Sequence, residues 1–491
     1  MRKLAVSLVA ISAIALVSPW FVGMKAQSEL QNLMARTFDS DKTPEFTAEL
    51  KEYERGWFKS TATFALSVNL PSQSAGRPQA PYAANTQTVS FKVDIHHGPI
   101  IIHDGRPSFG WGLAHLEPML PPMADTVLNM AFANGPKPRF DTTIFLSFTG
   151  NANTQLDMPA FNYKGGAAMA GVSVDWKGLT SRWDFSGRDT LSGTFDYQGV
   201  EANGGPASLK IDPIRMTVDA KRYKPDSFWL GKTALLADGI AFTLSPEKSF
   251  ELSGFTLESE SNINGKTFGG PVDMKLTSLT VNRFTSGPAE MRLSLAKIDL
   301  DSYDAFYKAM KELNRTSPME MMAGYRAAVT HLAQTGGELT LDKFSLRVPE
   351  GVVTAQGKLT LPPNPAVNDL SKEGRVLLKS AVLEFTGSTP VALVKKAIES
   401  ELTTSITKAQ QAALLKRQQE SQPSDSNPPL TSAQIAAQAK TQAEQQLADW
   451  VSKNYLVQKG DAYTVHASLK EGQLIVNDKP VYDLNTLIPQ S

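Results

Sequence analysis

The chain has 491 residues, with 49 Lys and Arg against 49 Asp and Glu, and no cysteine. The balanced charge excludes the basic footprint that nucleic-acid binding needs. The missing cysteines exclude disulfides, thiolate metal sites and cysteine nucleophiles. Apolar residues make up 41%, which suits a cored protein and not a membrane bundle.

Arg2 and Lys3 precede an uncharged run of 19 residues, 4–22. As a helix this run spans about 28 Å, close to the hydrocarbon core of a bilayer. Ser18 ends the best cleavage site, but Leu16 occupies the −3 position and Pro19 follows, which is unfavourable. The run also continues through Trp20, Phe21 and Val22. We therefore expect residues 1–23 to be a cytoplasmic stub and a retained, single-pass anchor. The positive charges before it keep the N-terminus inside. The bulk of the chain is then periplasmic, at a bacterial inner membrane. Residues 24–50 are expected as a stalk helix and connector, because Leu30, Leu33, Met34 and Phe38 recur at helical spacing. A core helix of the next domain reads equally well.

A β-rich body is expected over 51–386. Alternation marks strands at 63–69, 88–95 and 141–148, and the polar, Pro-bearing stretch 72–81 reads as a long loop. One pattern recurs: two apolar residues two apart, a two-residue step, then two more. Copies are Leu209, Ile211, Ile214, Met216; Phe250, Leu252, Phe255, Leu257; and Met274, Leu276, Leu279, Val281. Others are Leu293, Leu295, Ile298, Leu300; Leu339, Leu341, Phe344, Leu346; and, more weakly, Val376, Leu378, Ala381, Leu383. In a strand such a step flips the apolar set to the other face unless a bulge or bend absorbs it. Repeated bulges would curve a sheet with one apolar face. The irregular spacing excludes a fixed-period solenoid.

A helical insertion is expected at about 302–334, broken near Ser317 and Pro318. Pro349, Glu350 and Gly351 mark a turn. Residues 387–456 read as a helical hairpin. Thr389 and Pro390 would cap the first helix, with Val391, Val394, Ile398, Leu402 and Ile406 on one face. Thr431 and Gln434 form a capping-box pattern ahead of Ile435, Ala439, Ala443, Leu447 and Val451. Ten glutamines between Gln410 and Gln446 give a solvated outer surface, or an arm that docks a partner. Residues 457–491 close the chain with a β-hairpin turned at Glu471 and Gly472. The expected class is mainly β with helical insertions (α+β): an anchor, an elongated, curved antiparallel sheet, and the hairpin.

Four histidines, His96, His97, His103 and His115, lie close in sequence, with Asp104 beside the third. Converging imidazoles and a carboxylate can hold zinc. His96 and His97 would point to opposite faces of a strand, so structural or surface roles are the default. No nucleophile elbow, phosphate loop, dinucleotide fingerprint or calcium loop is present. No cofactor or metal is called for, and no enzyme is expected.

Three motifs are distinctive. Tyr53, Arg55, Gly56, Phe58 and Ser60 stand in the order Y-x-R-G-x-F-x-S. His97, Gly98 and Pro99 follow. Near the end come Gly472, Gln473, Leu474, Ile475, Val476 and Asn477. Together they resemble the YdgA family of bacterial envelope proteins, a family of unknown function. The resemblance implies a membrane segment, a long β-rich body and a closing hairpin. Where that family carries an acidic residue before H-G-P, this chain has His96. Arg55 and Gly56 read as a bend turning Trp57 onto the body; the alternative is an Arg-Trp contact with lipid headgroups.

The general plan also resembles the AsmA-like lipid-handling proteins. It implies an apolar groove that shields lipid or another apolar ligand. The alternative is a scaffold that docks a second copy or another envelope protein through the helical hairpin. A hydrolase built on the histidines is a third reading, and it requires His97, His103 and Asp104 to converge.

Overall fold

The computed structural model describes residues 46–70, 85–119, 137–165, 171–312, 333–364, 380–419 and 430–483, apart from 99, 104, 188, 246 and 283, with a few isolated residues between these spans. The expected membrane helix, residues 24–45 of the expected stalk and connector, and the loop at 72–81 lie outside the described residues; residues 46–50 of that connector are strand, the start of the body's first strand. So do Ser317, Pro318, Val376 and Leu378. Among the described residues no helix is long and apolar enough to cross a membrane.

The chain forms two compact units: Met1–Ser261 with Tyr307–Tyr325, and Asn262–Phe306 with Arg326–Ser491. The architecture is mainly β, in antiparallel sheet with a few helices.

In the first unit the strands are β1 (Phe46–Arg55), β2 (Lys59–Leu70), β3 (Asn85–His97), β4 (Ile101–His103), β5 (Arg106–Ser108) and β6 (Gly110–Met119). They continue as β7 (Asp141–Ser147), β8 (Ala152–Met158), β9 (Phe161–Lys164), β10 (Val172–Trp176), β11 (Leu179–Ser186) and β12 (Thr190–Tyr197). The last are β13 (Val200–Gly204), β14 (Ala207–Ile211), β15 (Ile214–Arg222), β16 (Trp229–Ser245) and β17 (Lys248–Glu260). The expected strands at 63–69, 88–95 and 141–148 correspond to β2, β3 and β7. Antiparallel pairing runs β1-β2-β3-β6-β7-β8-β11-β12-β15-β16-β17. A second run, β9-β10-β13-β14, joins the far half of β16. The β4–β5 hairpin stands apart as its own small sheet.

The two-residue step is a structural feature here. β14 and β15 are one line of chain interrupted at Asp212 and Pro213, and both pair with β16. The neighbouring strands break at the same level: between Met158 and Phe161, Trp176 and Leu179, and Tyr197 and Val200. The ladder is kept across this crease by bonds between the step residues. Lys177 N–H donates to Gly199 O at 3.0 Å, Gln198 N–H to Gly178 O at 2.9 Å, and Asp212 N–H to Gly239 O at 2.8 Å. Trp176 lies on one side of the crease and Tyr197 on the other, yet their rings sit 5.1 Å apart. Both therefore project from the same face, and the step restores the alternation it interrupts. Gly199 has φ +113°, and a Cβ there would lie 2.6 Å from Ile211 O.

In the second unit the strands are β18 (Asn262–Asn264), β19 (Thr267–Leu276), β20 (Ser278–Val281), β21 (Phe284–Ser286), β22 (Ala289–Asp299) and β23 (Gly337–Val348). Then come β24 (Gly351–Leu361), β25 (Val382–Pro390), β26 (Val457–Lys459), β27 (Ala462–Lys470), β28 (Gln473–Val476) and β29 (Lys479–Asp483). The main sheet pairs β18-β19-β22-β23-β24-β25-β27-β28-β29. Here the step is a bulge. Ala296 and Lys297 stand against Gly269 alone, and the register shifts again at Asp342. Val348 pairs with Gly351, so Pro349 and Glu350 form the expected turn.

Helix α1 (Leu300–Glu312) begins the expected insertion. Asp299 Oδ1 accepts from both the backbone N–H and the hydroxyl of Ser302 at its start. Helices α2 (Val391–Gln419) and α3 (Ser432–Ser452) are the long C-terminal pair. Strand β25 runs into α2 without a loop: Thr389 and Pro390 still pair with Tyr463 and Ala462. The expected cap is therefore strand, and the ladder outcompetes the local capping signal. The capping box of α3 forms as read, with Thr431 and Gln434 exchanging bonds. Ile435, Ala439, Ala443 and Leu447 are buried, whereas Val451 is exposed.

Candidate functional site

Cross-strand register lines up the apolar positions of the first unit into rows, interrupted by Thr142 and Ser181. Tyr53 faces Ala62, Ala62 faces Val93, Val93 faces Leu116, and Leu116 faces Thr142. The row continues through Leu156, Ser181 and Phe195 to Met216, Leu235 and Leu257. Beyond the crease a second row reads Phe161, Trp176, Val200, Ile211, Ile240 and Leu252. At the β1–β6 end the face is a closed core, with Ala62, Val93 and Ile95 buried. Toward β17 it opens: Phe195, Met216, Leu235 and Leu257 are only partly buried, and Phe185, Phe242 and Phe250 are more than a third exposed. Phe132 packs on Phe161 and Tyr163. A cleft of about 930 Å³ opens beside Leu116, Phe140 and Leu156, with Lys92, His115 and Arg139 also lining it.

The second unit repeats the plan. Gly270, Leu295, Leu339, Leu359, Leu383 and Leu469 form one row, ending at Leu474. Leu295, Leu339 and Leu359 are again more than a third exposed. The residues between them carry charge pairs. Arg292 holds Asp273 through two bonds of 2.6 and 2.8 Å. Lys297 and Lys358 both reach Glu338. Arg292 keeps the Asp273 carboxyl below the usual carboxylate range, and the two lysines do the same for Glu338. Alternation produces most of this division, because successive strand side chains take opposite faces; Lys297 joins the charged side through the bulge.

The motif residues fall in two places. β1 ends at Arg55, and Gly56 N–H donates to Lys59 O at 2.9 Å across the turn. A Cβ on Gly56 would lie 2.3 Å from that oxygen, so close backbone approach accounts for the glycine. Trp57 and Phe58 are exposed beyond it. The structure joins the first motif to the second: the Ser60 hydroxyl and His97 Nε2 are hydrogen-bonded at 2.9 Å, and both residues are buried. His97 N–H also donates to Phe58 O. Gly98 follows with φ +150°, and Pro99 lies outside the described residues. The sequence offers no signal for the Ser60–His97 contact, which spans 37 positions.

The third motif is a backbone knot. Glu471 and Gly472 have φ of 55° and 79° between the paired Lys470 and Gln473, as a type I′ hairpin turn requires. Asn477 (φ 47°) accepts from His466 N–H at 2.9 Å through its side-chain oxygen. Its amide donates to Asn454 O and Tyr455 O at 2.9 and 3.1 Å. These bonds tie the end of α3 to the closing strands. Leu474 stands opposite the buried Leu469.

His96 projects away from His97 and packs edge-on to His115 at 5.8 Å. Lys59 bonds Asp94 at 3.0 Å and holds its carboxyl below the usual range. Among the described residues no three His, Cys, Asp or Glu side chains converge. The His103 side chain and Asp104 are outside them.

Residues 1–482 match the family described as bacterial protein of unknown function (DUF945). The chain is also similar to Protein YdgA of Escherichia coli (strain K12), at 23% identity over 317 residues. That alignment covers 58% of this chain and 57% of the relative, little more than half its length. No solved structure matches. These matches bear out the resemblance read from the three motifs: the chain belongs to the DUF945 family of bacterial proteins.

Proposed function

We propose that this protein binds lipid acyl chains along the apolar faces of its sheets, and that residues 4–22 anchor it in the inner membrane with its bulk in the periplasm. It acts by binding and passing ligand, with no chemical step. The observation that carries this reading is the row structure: from β12 to β17, and again from β22 to β24, apolar side chains stand in register and are only partly buried. Monomeric proteins seldom expose contiguous apolar patches beyond about 300–600 Å², and larger ones mark interaction surfaces. From Phe185 on β11 to β17 the first unit's open face crosses four strand spacings, roughly 19 Å. An acyl chain of one leaflet fills about half of a ~30 Å hydrocarbon core, so the face is wide enough to carry one.

The test is to extract the full-length protein in mild detergent and weigh the intact complex by native mass spectrometry. Stoichiometric phospholipid or glycolipid surviving collisional removal of detergent is the expected result. It should be lost in a Leu235→Glu, Leu257→Glu double variant, which places charge on partly buried positions of that face. A mass free of lipid overturns the reading and leaves a scaffold, whose partner is to be sought at the α2–α3 hairpin.

A further inference from the structure

Among the described residues, the four most exposed large apolar side chains of the first unit, Phe109, Ile102, Ile100 and Phe58, gather at one end of its sheet. The register makes this explicit. The β1–β2 turn adjoins Ser60, which pairs with Ile95 next to the end of β3. From there the chain enters the β4–β5 hairpin and returns as β6, whose Gly110 pairs with Ser147 at the end of β7. Three separate loops therefore emerge at this end. Their tips carry Trp57 at 48% exposure, Phe58 at 56%, Ile100 at 60%, Ile102 at 64%, Phe109 at 66% and Phe148 at 40%. Loops usually carry polar residues and place large apolar ones inward; these tips do the reverse. Basic and aromatic groups flank them. Arg55 and Arg106 are exposed. At the β15–β16 connection of the same end, the Arg222 guanidinium lies 4.4 Å over the Trp229 ring.

We infer that this end of the first unit is a membrane-contacting surface, whose tips enter the interfacial layer of a phospholipid bilayer. Trp, Phe and Ile beside Arg and Lys is the composition that settles at that layer, where an apolar body and a polar or charged neighbour are both accommodated. A bilayer also suits the geometry better than a folded partner does. A soft surface accepts three unconnected tips, whereas a protein would need a matching pocket for each. The inference stands apart from the acyl-chain reading of the sheet face, because Ile100, Ile102 and Phe109 lie outside that face.

The chain has no cysteine, so single labels can be placed at will. Ile102→Cys reports the tips. Glu251→Cys is the control: it is exposed and pairs with Ala241, about 40 Å along β16 from Trp229. Glu251 also lies on the face opposite Phe250 and Leu252. Each full-length variant is labelled with a polarity-sensitive fluorophore and reconstituted into vesicles of phosphatidylethanolamine and phosphatidylglycerol. Quenching by spin-labelled acyl chains is then read. We expect the label at 102 to shift to the blue and to be quenched several-fold more than the label at 251. Equal quenching, stronger quenching at 251, or none at either position overturns the inference. Lipid bound on the sheet face alone would leave the label at 102 unquenched, so this result and the native mass separate the two proposals.

Discussion

Asn477 illustrates how a motif residue can be fully occupied with holding the backbone. Its side chain accepts one bond and donates two, and its φ of 47° lies where asparagine is tolerated better than most residues. Asn477→Ala removes the bonds and keeps the strained dihedral. We expect a loss of about 2–4 kcal/mol in chemical denaturation, with the C-terminal strands losing amide-exchange protection first. Asp273 gives the pH case. Its carboxyl is lowered in the folded chain by Arg292. The pair therefore contributes stability above the unfolded aspartate range and loses it as pH falls through the lower folded value. Asp273→Asn should lower the melting temperature slightly at pH 7, and the difference should shrink as the pH falls below the unfolded aspartate range. A difference that grows as the pH falls would contradict the assignment.

At the scale of elements, α3 separates a capping effect from a packing effect. Thr431→Ala removes a side-chain acceptor and should cost about 1 kcal/mol. Ala443 is fully buried, and Lys395 on α2 reaches Glu444 beside it at 2.6 Å. Small residues at Ala439 and Ala443 let α3 pack closely. Ala443→Leu should therefore cost about 1–3 kcal/mol by overpacking, in the same denaturation assay. Thr431→Ala costing more than Ala443→Leu would show that close packing does not set the stability of this helix. The crease of the first unit is the corresponding feature of its sheet. It was legible within one short stretch of chain, as Leu209, Ile211, Ile214 and Met216, and its meaning was that a bend or bulge must absorb the step. That both solutions are used, a crease near Gly199 and a bulge at Lys297, depended on what the neighbouring strands did.

At the scale of the whole molecule, each unit divides its sheet into an apolar and a charge-paired face. A filled core would leave no apolar surface to titrate. Partly open faces lead to a different expectation: the native, delipidated protein should bind an apolar fluorophore such as 1-anilinonaphthalene-8-sulfonate, and long-chain fatty acid should displace it. Fluorescence no higher than that of a compact globular control would mean the faces are closed in solution. Binding to the native state also shifts the folding equilibrium, so added fatty acid should raise the melting temperature in a concentration-dependent way.

The sequence by itself determined the β-rich class, the family, the positions of β2, β3 and β7, the turn at Glu471 and Gly472, and the capping box at Thr431. All of these rest on signals a few residues long: alternation, a turn dipeptide, a side chain reaching the next helical turn. Only the tertiary structure decided that Ser60 meets His97, that Thr389 and Pro390 belong to a strand, that the two-residue steps align into one crease, and that Trp57, Ile102 and Phe148 share an end. Each of these depends on which strands pair and in what register. Register is set by side chains tens of residues apart, and no local pattern in the chain records it.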